Sequence, residues 1–322
     1  MPAPGISACL AAAAAALLVA GCGGSPEEAT PSTTSPPLVY VDERGAAVEV
    51  TSTARIIPLD GDVAEIVFAL GMGDHVVATD LSATYPPEAD ALPQIGYQRA
   101  LSSEPILDFE PTLVIGTDNA GPPEVIDELE HVGVPVAIVP TPDDETGPGT
   151  KIRAVAELLG IPERGEALAG EVERAIDAVE PGPSLRVAML YLRGESTQLL
   201  FGAGTSIDWL IVAAGSVNVA AEMGVVDTAE ITAEALAAAA PDVLLVTEDG
   251  LASVGGLAGL LAMPSVAGTP AAEHGAVLAY DAQLMLGNGP RTGDYLATLA
   301  HDLTELAARL AGDGSGFLDP SQ

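Results

Sequence analysis

The sequence is poor in aromatic residues, cysteine and positive charge, and each shortage narrows what the protein can be. Aromatics make up 3% of 322 residues while 48% are hydrophobic, so the core must be built from Ala, Val, Leu and Ile. Only 11 Lys and Arg stand against 46 Asp and Glu, a formal net charge of −35. Such a field disfavours nucleic acid and anionic lipid headgroups as partners. It also repels anionic ligands at long range, but screening beyond about 8 Å at physiological salt leaves local Arg residues to decide binding. No Walker A pattern and no Gly-x-Ser-x-Gly elbow occurs, and the four histidines, His75, His131, His274 and His301, lack the spacing of a metal site.

Long apolar runs are scarce as well. Leu10 to Ala20 is too short to span a bilayer and has the length of a signal-peptide core. It ends in Val19-Ala20-Gly21-Cys22, which resembles a bacterial lipobox, and a tether rich in Gly, Ser, Thr and Pro follows. Residues 1–21 are therefore expected to be a lipoprotein signal, with lipidated Cys22 opening a flexible segment over 22–37. Cys9 would leave with the signal, so no disulfide is expected even in an oxidising compartment.

What remains alternates strand and helix. Leu38 to Val50 reads as a hairpin around Asp42-Glu43-Arg44-Gly45. Strands are expected at Arg55–Leu59, His75–Thr79, Pro111–Gly116 and Val134–Val139, with helices at about Val63–Leu70, Leu101–Phe109 and Glu124–Val132. The pattern returns in a strand at Leu185–Leu192, helices at Ser206–Ala214 and Ile231–Ala240, and the buried run Val243–Val246 after Pro241. The pair formed by that last helix and strand copies Ile106–Ile115, weak internal repetition that argues for two similar lobes. Between them Lys151–Val179 is helical in pattern, with Gly160-Ile161-Pro162 bending or splitting it. The expected fold is α/β: two Rossmann-like lobes with parallel sheets joined by a long helical linker, the ligand cleft between them. The expected boundaries are an N-terminal lobe over 38–147, linker over 148–181, C-terminal lobe over 182–290, and a terminal helix and tail over 291–322.

One loop carries chemistry. In Gln94 to Leu107, Tyr97 follows Gly96, and Arg99 stands two residues on. A phenol binds a hard ferric ion as phenolate, and with an ordinary pKa of about 10 it needs a cation and the metal to stabilise that form. Arg99 is placed to supply the cation. An ordinary loop-edge Tyr is the competing reading.

Leader, tether, two lobes and helical link together resemble a substrate-binding protein of an ABC importer, in the class with a helical linker, related to cobalamin and ferric-siderophore binders. Arg55–Asp74, Leu92–Leu107 and Gly268–Thr292 resemble its heme-binding branch. The resemblance implies heme as a transported ligand rather than a catalytic cofactor, Tyr97 as an axial iron ligand, and Arg99 as its partner. Met285, Tyr280 and His274 are candidates for a second axial ligand. Arg193 and Arg291 are the other cations in expected cleft loops, suited to propionates. Glu65 and Asp208 are the acidic residues expected to dock on the permease, whose ATPase subunit supplies energy. The implied setting is the extracytoplasmic face of a membrane, anchored through Cys22, with no enzyme activity. Two alternatives stay open: the same fold carrying a ferric siderophore or corrinoid, with Tyr97 stacking on it, or a secreted hydrolase using Asp60, Asp62 and His75.

Overall fold

The computed structural model describes residues 38–312 except residue 195. The expected signal, Cys22 and tether lie outside the described residues. β1 (Leu38–Val41) and β2 (Ala47–Val50) form the expected antiparallel hairpin. β3 (Ile56–Pro58), β4 (Leu113–Gly116) and β5 (Val136–Ile138) form a parallel sheet in that order, with every residue buried. Continuous apolar strands suit a sheet covered on both faces, and Ile56 and Ile57 indeed enter different apolar clusters on its two sides. The hairpin turn covers the edge of β5: Glu43 N–H donates to the Ile138 carbonyl at 2.9 Å, and Arg44 donates to the Val136 carbonyl at 3.1 Å.

His75–Thr79, expected as a strand, is not one. Val76 bridges to Ile56 and Thr79 bridges to Gln94, so the segment leaves one neighbour for another before two successive pairs can form. That crossing matters, because it ties the Tyr97 loop to the edge of the first sheet.

The second sheet contains β6 (Arg186–Arg193), β7 (Thr197–Phe201), β8 (Val217–Asn218), β9 (Thr228–Glu230), β10 (Val243–Thr247) and β11 (Val277–Tyr280). Its order is β11-β10-β6-β7-β9, with β8 also beside β6. β8 and β10 run parallel to β6, and β11 runs parallel to β10, as expected. β7 pairs antiparallel with both β6 and β9, so this sheet is mixed where an all-parallel one is expected. The connection over 194–196 is too short for a crossover, so the chain can only return beside itself.

Between the sheets the link is two helices, Gly147–Leu158 and Pro162–Asp177, split where Gly160-Ile161-Pro162 predicts. They pack antiparallel. Arg153 reaches Glu166 at 2.7 Å and Glu173 at 2.5 Å, and a Cβ on Gly165 would overlap Ala156. The helix Thr292–Ala311 packs on the second of them. Such a braced joint permits small rotations rather than wide opening.

Candidate functional site

The Tyr97 loop is held on both sides by backbone. Thr79 N–H donates to the Pro93 carbonyl at 3.0 Å, Ile95 N–H to Thr79 at 2.9 Å and Leu81 N–H to Gly96 at 2.9 Å. On the far side Gly121 N–H donates to the Gln98 carbonyl at 2.8 Å. Gly96 has φ +111, which turns the chain so that Tyr97 stands out, 37% exposed. Arg99 donates to the Asn119 side chain, fixing its guanidinium beside the loop that leaves β4.

From the second lobe, Tyr191 and Arg193 at the carboxyl end of β6 meet this loop. Two residues apart on a strand, they share a face, and the Arg193 guanidinium lies 4.7 Å from the centroid of the Tyr191 ring. Phe201 supports the ring from behind, centroid to centroid 5.7 Å. Burial pushes the Tyr191 phenol up, and the hydroxyl of Tyr97 facing it pushes further, while Arg193 and Arg99 pull it down. Tyr97, Arg99, Tyr191 and Arg193 therefore converge, two from each lobe. The sequence places Tyr191 in the expected strand Leu185–Leu192 and does not single it out. The signal was present: Tyr97-Gln98-Arg99 and Tyr191-Leu192-Arg193 have the same Tyr-x-Arg spacing.

The remaining candidates sit elsewhere. Arg291, expected at cleft propionates, donates through Nε and an Nη to both oxygens of Glu65 at 2.9 and 2.8 Å and lies 3.7 Å over the Tyr85 ring. Glu65 is 5% exposed, so it cannot meet a permease without breaking that pair. Asp208 is half-buried and accepts from Asn218 at 2.9 Å. Among the second-ligand candidates, Met285 is fully buried, and Tyr280 donates to Asp302 at 2.5 Å with its ring against Tyr295. His274 is exposed at the end of a helix that feeds the amino end of β11, the wrong end of the sheet for the cleft. Gln283, which the sequence reading passed over, bridges the lobes. Its Nε2 donates to the carbonyls of Gly61 and Tyr85 at 2.8 and 2.9 Å, and its Oε1 accepts from the N–H groups of Thr84 and Tyr85 at 2.8 Å each.

Behind the Tyr97 loop lies a buried acidic cluster. Asp60, Asp62 and Asp80 are 1%, 9% and 0% exposed, and Lys151 pairs with Asp62. Burial first, and then the charge of Asp62, raises the Asp60 carboxyl well above the usual range, against a 2.8 Å hydrogen bond from Thr117 N–H. Of the three residues of the hydrolase alternative, Asp60 accepts from a backbone amide, Asp62 pairs with Lys151, and His75 sits in the short helical turn Gly73–His75. Among the described residues no group of three or more His, Cys, Asp or Glu could hold a free metal ion. A folded-state pKa above the unfolded value of about 3.9 means the folded protein binds that proton more tightly. The stabilisation is complete below the unfolded pKa and is lost as pH rises through the folded one. Thermal melts should therefore show a lower midpoint at pH 8 than at pH 5. Asp60→Asn should flatten that slope and stabilise the protein at pH 8 by on the order of 1–2 kcal/mol.

Against known proteins, the sequence model of the family described as periplasmic binding protein matches residues 56–284. The apo structure of the periplasmic heme-binding protein RhuT from Roseiflexus sp. RS-1 is 48% identical, with a TM-score of 0.76, covering 80% of this chain and 100% of that one. The crystal structure of the heme binding protein HmuT is 34% identical, with a TM-score of 0.77, covering 88% and 96%. The vitamin B12-binding protein of Vibrio campbellii is 28% identical over 144 residues, 45% of this chain, and the match spans only 51% of that relative's length.

Proposed function

The chain belongs to the periplasmic binding protein family, and from that premise we propose that it captures ferric heme between its lobes and delivers it to the permease of an ABC importer. It works as a binding protein and not as an enzyme, outside the cytoplasmic membrane and held there by lipid on Cys22, and an ATPase subunit of the importer drives uptake. The observation that carries the reading is the convergence of two Tyr-x-Arg pairs, Tyr97 with Arg99 and Tyr191 with Arg193, from opposite lobes. A porphyrin supplies four equatorial donors to its iron, so the protein need add only axial ones, and two facing phenols suit the two sides of a disc. Tyr97, the more exposed, is the first donor. Tyr191, whose proton burial holds, follows as the lobes close and the ferric charge reaches it. Arg99 and Arg193 stabilise phenolate and propionate charge, which the acidic surface otherwise opposes. Among these functional neighbours RhuT and HmuT are described as heme-binding, which supports the choice of ligand.

A second reading, a corrinoid cargo, draws on the vitamin B12-binding relative. In that case the tyrosines stack on a ligand whose metal is already held by its own ring. Equilibrium dialysis of the protein against hemin, cyanocobalamin and a ferric hydroxamate siderophore separates the readings. Saturable one-site retention of hemin with neither of the others retained supports heme, and preferential retention of cyanocobalamin replaces it.

A further inference from the structure

The residue between the two that present chemistry in the Tyr97 loop points the other way. Gln98 is turned inward, and its Oε1 lies 2.6 Å from Ser82 Oγ. Ser82 Oγ in turn lies 2.8 Å from Asp80 Oδ1 and accepts from Gly61 N–H at 2.9 Å, while Ser82 N–H donates to Asp80 Oδ2 at 2.9 Å. A hydroxyl has one proton and two lone pairs. With Gly61 taking one lone pair, Ser82 can satisfy both remaining oxygens only if it accepts from Asp80 and donates to Gln98.

We infer that Asp80 is a positioning residue for Tyr97: its buried carboxyl starts the line Asp80 to Ser82 to Gln98 that fixes the phenol-bearing loop from behind. The inference rests on the reading of Tyr97 as the heme ligand. Asp80 also lies between Thr79 and Leu81, the two residues whose backbones hold that loop, so the same short segment grips it by main chain and by side chain. In the neutral form Asp80 donates to Ser82, Ser82 donates to Gln98, and every contact is satisfied. Ionised, the carboxylate competes with Gln98 for one hydroxyl proton. Burial raises the Asp80 carboxyl to about 6, with the charge of Asp62 adding and hydrogen bonds from Ser82 and the Gln98 backbone opposing. The other charged groups that face this spot are Asp60 and, through Asp62, Lys151.

The test uses the folded protein with and without hemin. In the free protein at about pH 5, where Asp80 is neutral, amide hydrogen exchange over residues 96–101 should quicken about tenfold in Asp80→Ala and in Gln98→Leu and stay near wild type in Asp80→Asn, which keeps a donor to Ser82 and an acceptor for its N–H. With hemin, Asp80→Ala and Gln98→Leu should bind about tenfold more weakly with a shifted phenolate-to-iron band, and Asp80→Asn should restore both. Wild-type exchange and hemin binding in Gln98→Leu overturn the inference, even if Asp80→Ala fails to fold. An Asp80→Asn protein that behaves like Asp80→Ala overturns it too. If instead Tyr97→Phe leaves the hemin spectrum unchanged, the heme-ligand reading fails, and the exchange data in the free protein still decide whether Asp80 positions the loop.

Discussion

Replacing Lys151 by methionine is expected to destabilise the protein by about 3–5 kcal/mol. The side chain of Lys151 is 3% exposed, its ammonium pairs with Asp62, and it donates to the Gly287 carbonyl at 2.9 Å. It joins the linker helix, the first helix of the N-terminal lobe and the segment leading to the last helix. The cost comes less from the pair itself than from what its loss leaves behind, a buried carboxylate on Asp62 beside Asp60 and Asp80. The double variant Lys151→Met/Asp62→Leu should recover much of the loss, because it removes both desolvated charges. Urea unfolding monitored by far-ultraviolet circular dichroism measures both. A loss below about 1 kcal/mol in Lys151→Met would mean that water reaches Asp62 and that the acidic cluster is solvated.

Tyr97→Phe is expected to weaken hemin binding by on the order of 100-fold or more. Removing a group that only orients a metal ligand costs about 10–100-fold, so deleting the donor itself must exceed the lower part of that range. Tyr191→Phe should cost less, about tenfold, because burial holds the Tyr191 proton and its phenol enters only as the lobes close. Neither change should unfold the protein, since Tyr97 is 37% exposed and Tyr191 keeps its contact with Phe201 as phenylalanine. Hemin titrations followed in the Soret band give both ratios. Equal and small losses would favour tyrosines that stack on the ring over tyrosines that bind iron.

Much of the architecture was legible because it is local. Apolar runs marked the strands, Gly160-Ile161-Pro162 marked the break in the link, and the polar loop after Pro93 marked Tyr97 and Arg99. What stayed hidden depended on distant partners. Arg291 reads as a cleft cation in the sequence, but its carboxylate, Glu65, comes from the N-terminal lobe, and no local pattern joins the two. Tyr191 was hidden differently: a strand that is buried over most of its length reads as core, and only the face shared by residues 191 and 193 at its end betrays a second use. His75–Thr79 has strand composition, but composition does not reveal that its backbone divides its bonds between Ile56 and the Tyr97 loop. The buried acids gave no warning either, since Asp60-Gly61-Asp62 at a helix start reads as capping, whereas neither Asp60 nor its neighbours cap that helix by side chain.

Whether a phenolate from the Tyr97 loop binds ferric heme can be read from resonance Raman spectroscopy of the hemin complex, excited in the phenolate-to-iron charge-transfer band. Enhanced phenolate ring and C–O modes in the wild type that vanish in Tyr97→Phe, and persist weakened in Tyr191→Phe, are the predicted result. A hemin complex without phenolate modes, or with modes untouched by Tyr97→Phe, would contradict it.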